Sequence, residues 1–240
     1  MFPDLTRDDV FRLETRRLWL RWPRQDDAQA IVRLAGEKAV AEMTARIPHP
    51  LRLRDAEDFV LRTRQENADG ESLTLAITPK GKPGSVIGAV GIGPNPEDGE
   101  PHLGYWLGVP HWGQGHATEA ARALIDAFFA YTNGRVLTSS ARVVNPASRR
   151  VIEKCGFAFQ GSGLMAFPAR GGVFPVDRFR LDRRTWESLK SWGHTGFVPG
   201  GGDSFFTTYV TEIPEPQMFL MMLAGLSGLA VLRRRRPRSP

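Results

Sequence analysis

The chain has 240 residues, 41% of them hydrophobic, enough for one domain with a core of its own or one domain plus an appendage. Its formal charge is +6, but residues 211–240 hold five arginines and two glutamates, so the rest carries a modest positive excess with both signs interspersed; this suits an anionic ligand, and without a basic stripe interleaved with aromatics it argues against nucleic acid as a partner. The single cysteine, Cys155, excludes an intrachain disulfide framework, and the charged start lacks the apolar stretch of a secretory signal, which points to the cytoplasm.

Alternation of Leu13, Leu18, Leu20 and Trp22 predicts a first strand over residues 13–22. Asp26 and Asp27 start a helix to about residue 35, and a second short helix fits residues 37–45. The Ile47-Pro48-His49-Pro50 stretch breaks it. Asp55 caps a further helix to residue 67. Three strands then follow at 72–77, 85–92 and 102–109, joined by turn-rich segments that favour antiparallel pairing. The small residues Gly88, Ala89 and Gly91 mark a close approach to the backbone.

A glycine-bearing turn at 112–117 leads into a helix at 118–131, whose Ala121, Leu124, Ile125, Phe128 and Phe129 share an apolar face. Residues 136–143 read as a strand. Residues 146–155 read as a helix, with Asn145 at its cap, Pro146 in its first turn and Gly156 ending it. Two strands, 157–167 and 173–181, and a helix at 182–191 complete the pattern. Strands outnumber helices around one strand–turn–helix unit, which is an α+β arrangement rather than a doubly wound dinucleotide fold. Zinc-ligand spacing, a P-loop lysine signature and a Gly-x-Ser-x-Gly elbow are all missing, so no metal is expected.

The turn carries the chemistry. In Leu107-Gly108-Val109-Pro110-His111-Trp112-Gly113-Gln114-Gly115-His116-Ala117-Thr118, a strand gives way to small residues and then to a helix N-terminus. Gly113 and Gly115 leave room for backbone N–H groups to face an anion, and the helix adds its free N–H groups and partial positive charge. A diphosphate fits such a turn; glycines serving only a tight turn are the plainer alternative.

The run Gly104-Tyr105-Trp106-Leu107, the turn through Ala120, and the block Asn145-Pro146-Ala147-Ser148-Arg149-Arg150-Val151-Ile152-Glu153-Lys154-Cys155-Gly156-Phe157 together resemble the GCN5-related N-acetyltransferase (GNAT) superfamily. The similarity is to the branch of ribosomal-protein N-terminal acetyltransferases and covers residues 11–190. It implies a mixed, mostly antiparallel central sheet that splays open at the centre and is flanked by helices. Acetyl-coenzyme A is the implied acetyl donor. By the same resemblance, the backbone of Leu107, Gly108 and Val109 binds the pantetheine arm and thioester. The turn residues Trp112, Gly113, Gln114, Gly115, His116 and Ala117 bind the pyrophosphate, and Asn145 hydrogen-bonds the cofactor. Trp112 stands where the family usually has a basic residue or glutamine.

Direct transfer needs an uncharged amine, a polarised thioester carbonyl and a proton for the leaving thiolate. The tyrosine that many members use falls on Ile152, which has no acidic proton. The branch carries a serine at Ser148, the expected catalytic donor; bonding to a helix carbonyl is the alternative for that hydroxyl. The branch's usual glutamate position is His102, a candidate base beside solvent itself. Arg149 and Arg150 fit either the adenosine phosphate or a solvated helix face. The expected reaction is acetylation of a primary amine on a protein N-terminus or small molecule, and the alternative is an inactive acyl-CoA-binding module.

The expected organisation is a transferase domain at 11–192, a Gly/Pro linker at 193–212 and a tail at 213–240. Pro214-Glu215-Pro216, a short apolar run and Arg233 to Arg236 resemble the PEP-CTERM sorting signal, although bearers of that signal normally also carry an N-terminal signal peptide. Residues 217–236 are therefore a candidate membrane contact. The run is shorter than a comfortable span, and a packed terminal helix or a fusion remnant are the other readings.

Overall fold

Eight strands and six helices alternate along residues 1–194 of the computed structural model, which describes those residues and 209–210. The strands are β1 (Arg12–Glu14), β2 (Leu18–Arg21), β3 (Leu73–Pro79), β4 (Gly88–Pro94), β5 (Pro101–Leu107), β6 (Val136–Arg142), β7 (Ala158–Phe167) and β8 (Gly172–Asp182). The helices are α1 (Ala28–Ala35), α2 (Lys38–Ala41), α3 (Leu53–Ala68), α4 (His116–Tyr131), α5 (Pro146–Lys154) and α6 (Arg183–His194), and a two-residue strand, β9 (Tyr209–Val210), follows. The first eight strands lie in the order β7-β8-β6-β5-β4-β3-β2-β1. Every pairing among them is antiparallel except β5 with β6. This is the α+β, mostly antiparallel sheet expected.

Several boundaries differ from expectation for local reasons. The strand expected at 13–22 is a hairpin, because Thr15 turns the chain: its N–H donates to Leu18 O at 3.0 Å and its hydroxyl accepts from Leu18 N at 2.9 Å. Asp27 does not cap α1 with its side chain. Its carboxylate instead accepts from both terminal guanidinium nitrogens of Arg21 at 2.8 Å, inside the protein. The helix expected to begin at Asp55 starts at Leu53, with Asp55 in its first turn accepting from Arg52 N at 3.0 Å. α4 begins at His116, so the end of the expected turn is already helical. The close approach at Gly88 is to the neighbouring strand: a Cβ there would sit 2.2 Å from Trp106 O.

The sheet's two faces are packed by different helices. Side chains alternate along β5. Trp106 packs against the cluster of Ala28, Ile31, Ala35, Ala56 and Val60 from α1 and α3, while Tyr105 reaches α5 on the other face. There α4 buries Ala121, Leu124, Ile125, Phe128 and Phe129, the apolar face expected. Fully burying Phe128 and its like is worth roughly 2–3 kcal/mol each. Among the described residues no helix is long and apolar enough to cross a membrane. The tail expected at 213–240 and its sorting-signal resemblance lie outside the described residues.

Candidate active site

The centre of the sheet parts into a wedge. β5 and β6 pair over only two rungs, His102 with Thr138 and Leu103 with Ser139. The root is pinned by side chains: Ser139 Oγ donates to Leu103 O and Thr138 Oγ1 to Pro101 O, both at 3.0 Å. Beyond Leu103, β5 stays paired with β4 and β6 with β8 along their lengths. Residues 104–107 and 140–142 therefore border a gap that opens toward the turn after β5.

That turn is held from three sides. Gly108 N donates to Ile87 O at 3.0 Å, and a Cβ on Gly108 would strike Leu34 of α1 at 2.7 Å. Trp112 folds back so that its indole Nε1 donates to Leu107 O at 2.7 Å. Gly113 and Gly115 have φ of 73° and 79°, the left-handed region that glycine enters without strain. Gly115 is the N-cap of the 16-residue helix α4 and offers no side chain to its first N–H groups. Those groups of His116, Ala117 and Thr118 have no partner within the helix and carry the positive end of its dipole.

A brace behind the turn sets its position. Glu119 accepts from Thr15 Oγ1 at 2.6 Å, Arg17 N at 2.8 Å and Arg17 Nε at 2.7 Å. Arg17 Nη1 also donates to Gln114 O at 3.0 Å. Burial would raise the Glu119 carboxyl, but these donors outweigh it and hold the group below the ordinary glutamate range. Burial and the neighbouring Arg17 lower His116, whose Nδ1 is enclosed without a hydrogen-bond partner. An uncapped helix start and two left-handed glycines suit an anion such as a diphosphate.

On the α5 side of the wedge, Asn145 caps the helix as expected: its Oδ1 accepts from Ser148 N at 3.0 Å. Ser148 Oγ lies 2.9 Å from the Tyr105 hydroxyl, which is also 3.0 Å from Ser148 O. Burial pushes the Tyr105 phenol well above its ordinary range. Ile152, one turn further along α5 than Ser148, is wholly buried.

His102 occupies the opposite face, in a cleft of about 240 Å³ lined by Asn95, Asp98, Thr138, Ser140, Gln160, Met165, Arg178 and Arg180 among others. Burial lowers its imidazole to about 4, so the ring is neutral at pH 7. Its tautomer follows from its neighbour. Thr138 Oγ1 spends its one proton on Pro101 O, so at 3.0 Å it accepts from His102 Nδ1–H. Nε2 then carries the lone pair, with Ser140 Oγ at 3.5 Å. Glu100 is instead paired with Arg180 at 3.4 Å.

The expected site residues thus fall into three groups around one wedge: the turn Leu107–Ala117, the pair Asn145 and Ser148, and His102 across the sheet. Arg149 binds Glu153 and Asp177 at 2.8 and 3.0 Å and is committed to those carboxylates. Burial pushes the Cys155 thiol up to about 12, which leaves it protonated at pH 7. Sequence reasoning settled no role for Tyr105 and missed Arg17 and Glu119. The helical i, i+4 period could not join residues a hundred positions apart, and only Thr15 and Arg17 just ahead of a strand hinted at a brace.

The chain matches the acetyltransferase (GNAT) domain family over residues 17–158. It is 27% identical over 175 residues to an uncharacterized N-acetyltransferase, p20, of Bacillus licheniformis, covering 72% of this chain and 97% of the relative. It is 35% identical over 100 residues to the uncharacterized protein YkkB of Bacillus subtilis, 40% of this chain and 56% of that one. Among solved structures, the ribosomal-protein-S5-alanine acetyltransferase of Vibrio fischeri superposes with a TM-score of 0.62 at 17% identity, over 73% of this chain and 98% of the other. RimL, a ribosomal L7/L12 alpha-N-protein acetyltransferase solved with coenzyme A, gives 0.59 at 18%, over 70% and 95%. At these identities the superpositions speak for the fold, whereas the family match spans more than half the chain and takes in the wedge, the turn and α5: the protein belongs to the GNAT acetyltransferase family.

Proposed function

We propose that the protein transfers an acetyl group from acetyl-coenzyme A directly to a primary amine, on a protein N-terminus or a small molecule. The observation that carries this reading is the parting of β5 from β6 beside the uncapped start of α4. The bound thioester supplies the activated acetyl group. N–H groups of residues 113–117 hold the pyrophosphate. Val109 N–H, first in its 3-10 turn, polarises the thioester carbonyl beside the strand end at Leu107 and Gly108. Asn145 Oδ1 is engaged in capping, so its amide N–H is the group that donates to the cofactor.

Ser148 steadies the leaving sulfur by donating a hydrogen bond. A serine hydroxyl is a far weaker acid than a thiol and does not surrender its proton outright. His102 Nε2 accepts a hydrogen bond from the incoming amine and orients it. With its conjugate acid near 4 the ring is too weak a base to keep the amine's proton, which passes on to water. The name of RimL, an alpha-N-protein acetyltransferase, favours a protein N-terminus among acceptors.

Thiol release from acetyl-coenzyme A, measured across N-terminal peptides and small amines with mass detection of product, tests the reading. Turnover on at least one class is expected. Cofactor binding without release on any amine would overturn it in favour of a binding module. Membrane fractionation of the chain with and without residues 213–240 tests the proposed contact through residues 217–236 separately.

A further inference from the structure

We propose that Tyr105 is the positioning residue for Ser148, holding the serine hydroxyl so that its own proton faces the departing sulfur. This rests on the acetyl-transfer reading above. The phenol comes from the stretch of β5 beyond its last rung with β6, and it meets α5 across the wedge. It has one proton and two acceptors within reach, Ser148 Oγ at 2.9 Å and Ser148 O at 3.0 Å. Ser148 lies in the first turn of α5, where the helical pattern already supplies its carbonyl with the N–H four residues on. Donation from Tyr105 to Oγ therefore leaves nothing unpaired.

Once Oγ accepts from the phenol, its own proton must go to a third partner. A serine left to itself in a helix would turn that proton onto a carbonyl of the preceding turn. Among the described residues, however, the one hydrogen bond of Oγ is with the phenol, which polarises the hydroxyl it donates to. Burial keeps Tyr105 protonated, and the nearby Cys155 is held neutral in the same way, so the donor persists across the working pH range. No proton leaves the tyrosine in this scheme: the carbon–sulfur bond breaks with its electron pair on sulfur. The thiolate accepts the Ser148 hydrogen bond and later takes its proton from solvent.

The thiol of bound coenzyme A reports the arrangement without needing an acceptor. Its titration is followed by thiolate ultraviolet absorbance in the intact protein, Tyr105→Phe, Ser148→Ala and the double variant. Tyr105→Phe and Ser148→Ala should each raise the apparent thiol pKa by about half a unit to one unit. The double variant should go no higher than Ser148→Ala alone. Fluorotyrosine at position 105, a stronger donor of the same shape, should lower it, and this arm stands even if the phenylalanine variant folds poorly. With any amine that is turned over, Tyr105→Phe should lower kcat roughly 5- to 20-fold and leave the KM for acetyl-coenzyme A unchanged. A Tyr105→Phe value equal to the intact protein's, or shifts that add in the double variant, would overturn the proposal. Should Ser148→Ala also leave the thiol unmoved, the role given to Ser148 itself falls with it.

Discussion

Two partly buried side chains on β5 do opposite things to their protons. Tyr105 is kept protonated and His102 is kept neutral, both by burial. For His102 this has a measurable cost. An unfolded chain takes up the histidine proton near 6.5, and the fold does so only near 4. Between these values the unfolded state binds more protons, so stability falls as pH drops from 6.5 and levels off below 4. The loss should reach about 2 kcal/mol by pH 5. Urea unfolding at pH 7 and pH 5 should show that difference shrinking by a similar amount in His102→Gln. Equal pH dependence in both proteins would mean the ring is solvated. At Gly115, alanine must adopt a left-handed conformation that costs roughly 1 kcal/mol, and the displaced N–H groups should weaken coenzyme A binding about tenfold by calorimetry.

The elements were legible to different depths. The apolar period of α4 and the Asn145-Pro146 start of α5 are local signals, and both helices form, α4 two residues earlier than read. The order of β5, turn and α4 followed from small residues at a strand end. The hairpin at Thr15, the pairing of Asp27 with Arg21 and the meeting of Tyr105 with Ser148 did not, because each depends on groups brought together by folding. The brace on α4 is the clearest case. Glu119 joins the β1–β2 turn to the first turn of the helix through three hydrogen bonds. Glu119→Ala leaves the Arg17 backbone N–H without its acceptor and Thr15 Oγ1 with only the longer bond to Leu18 O. A destabilisation of about 1–3 kcal/mol is expected, together with weaker coenzyme A binding. Chemical denaturation and calorimetry on the same variant check both, and a loss of stability with affinity intact would confine Glu119 to folding.

At the scale of the molecule, β1–β5 and β6–β8 are two half-sheets whose backbones meet over two rungs, tied there by side-chain bonds of His102, Thr138 and Ser139. A ligand lodged between them binds only the folded form and should raise the melting temperature with concentration. Hydrogen exchange should slow most at residues 104–107 and 113–118. Protection confined to other strands would contradict a ligand in the wedge. The splayed stretch of β5 is also, in effect, a sheet edge placed inside a protein. Edges of this kind invite another extended chain to pair with them. A ligand arm bearing amide groups can lie there as a substitute strand, reading backbone rather than side chains. The consequence is a division of labour within one stretch of strand: such a grip would rest on the backbone of residues 104–107, which leaves their side chains to other tasks, Trp106 to the core and Tyr105 to Ser148.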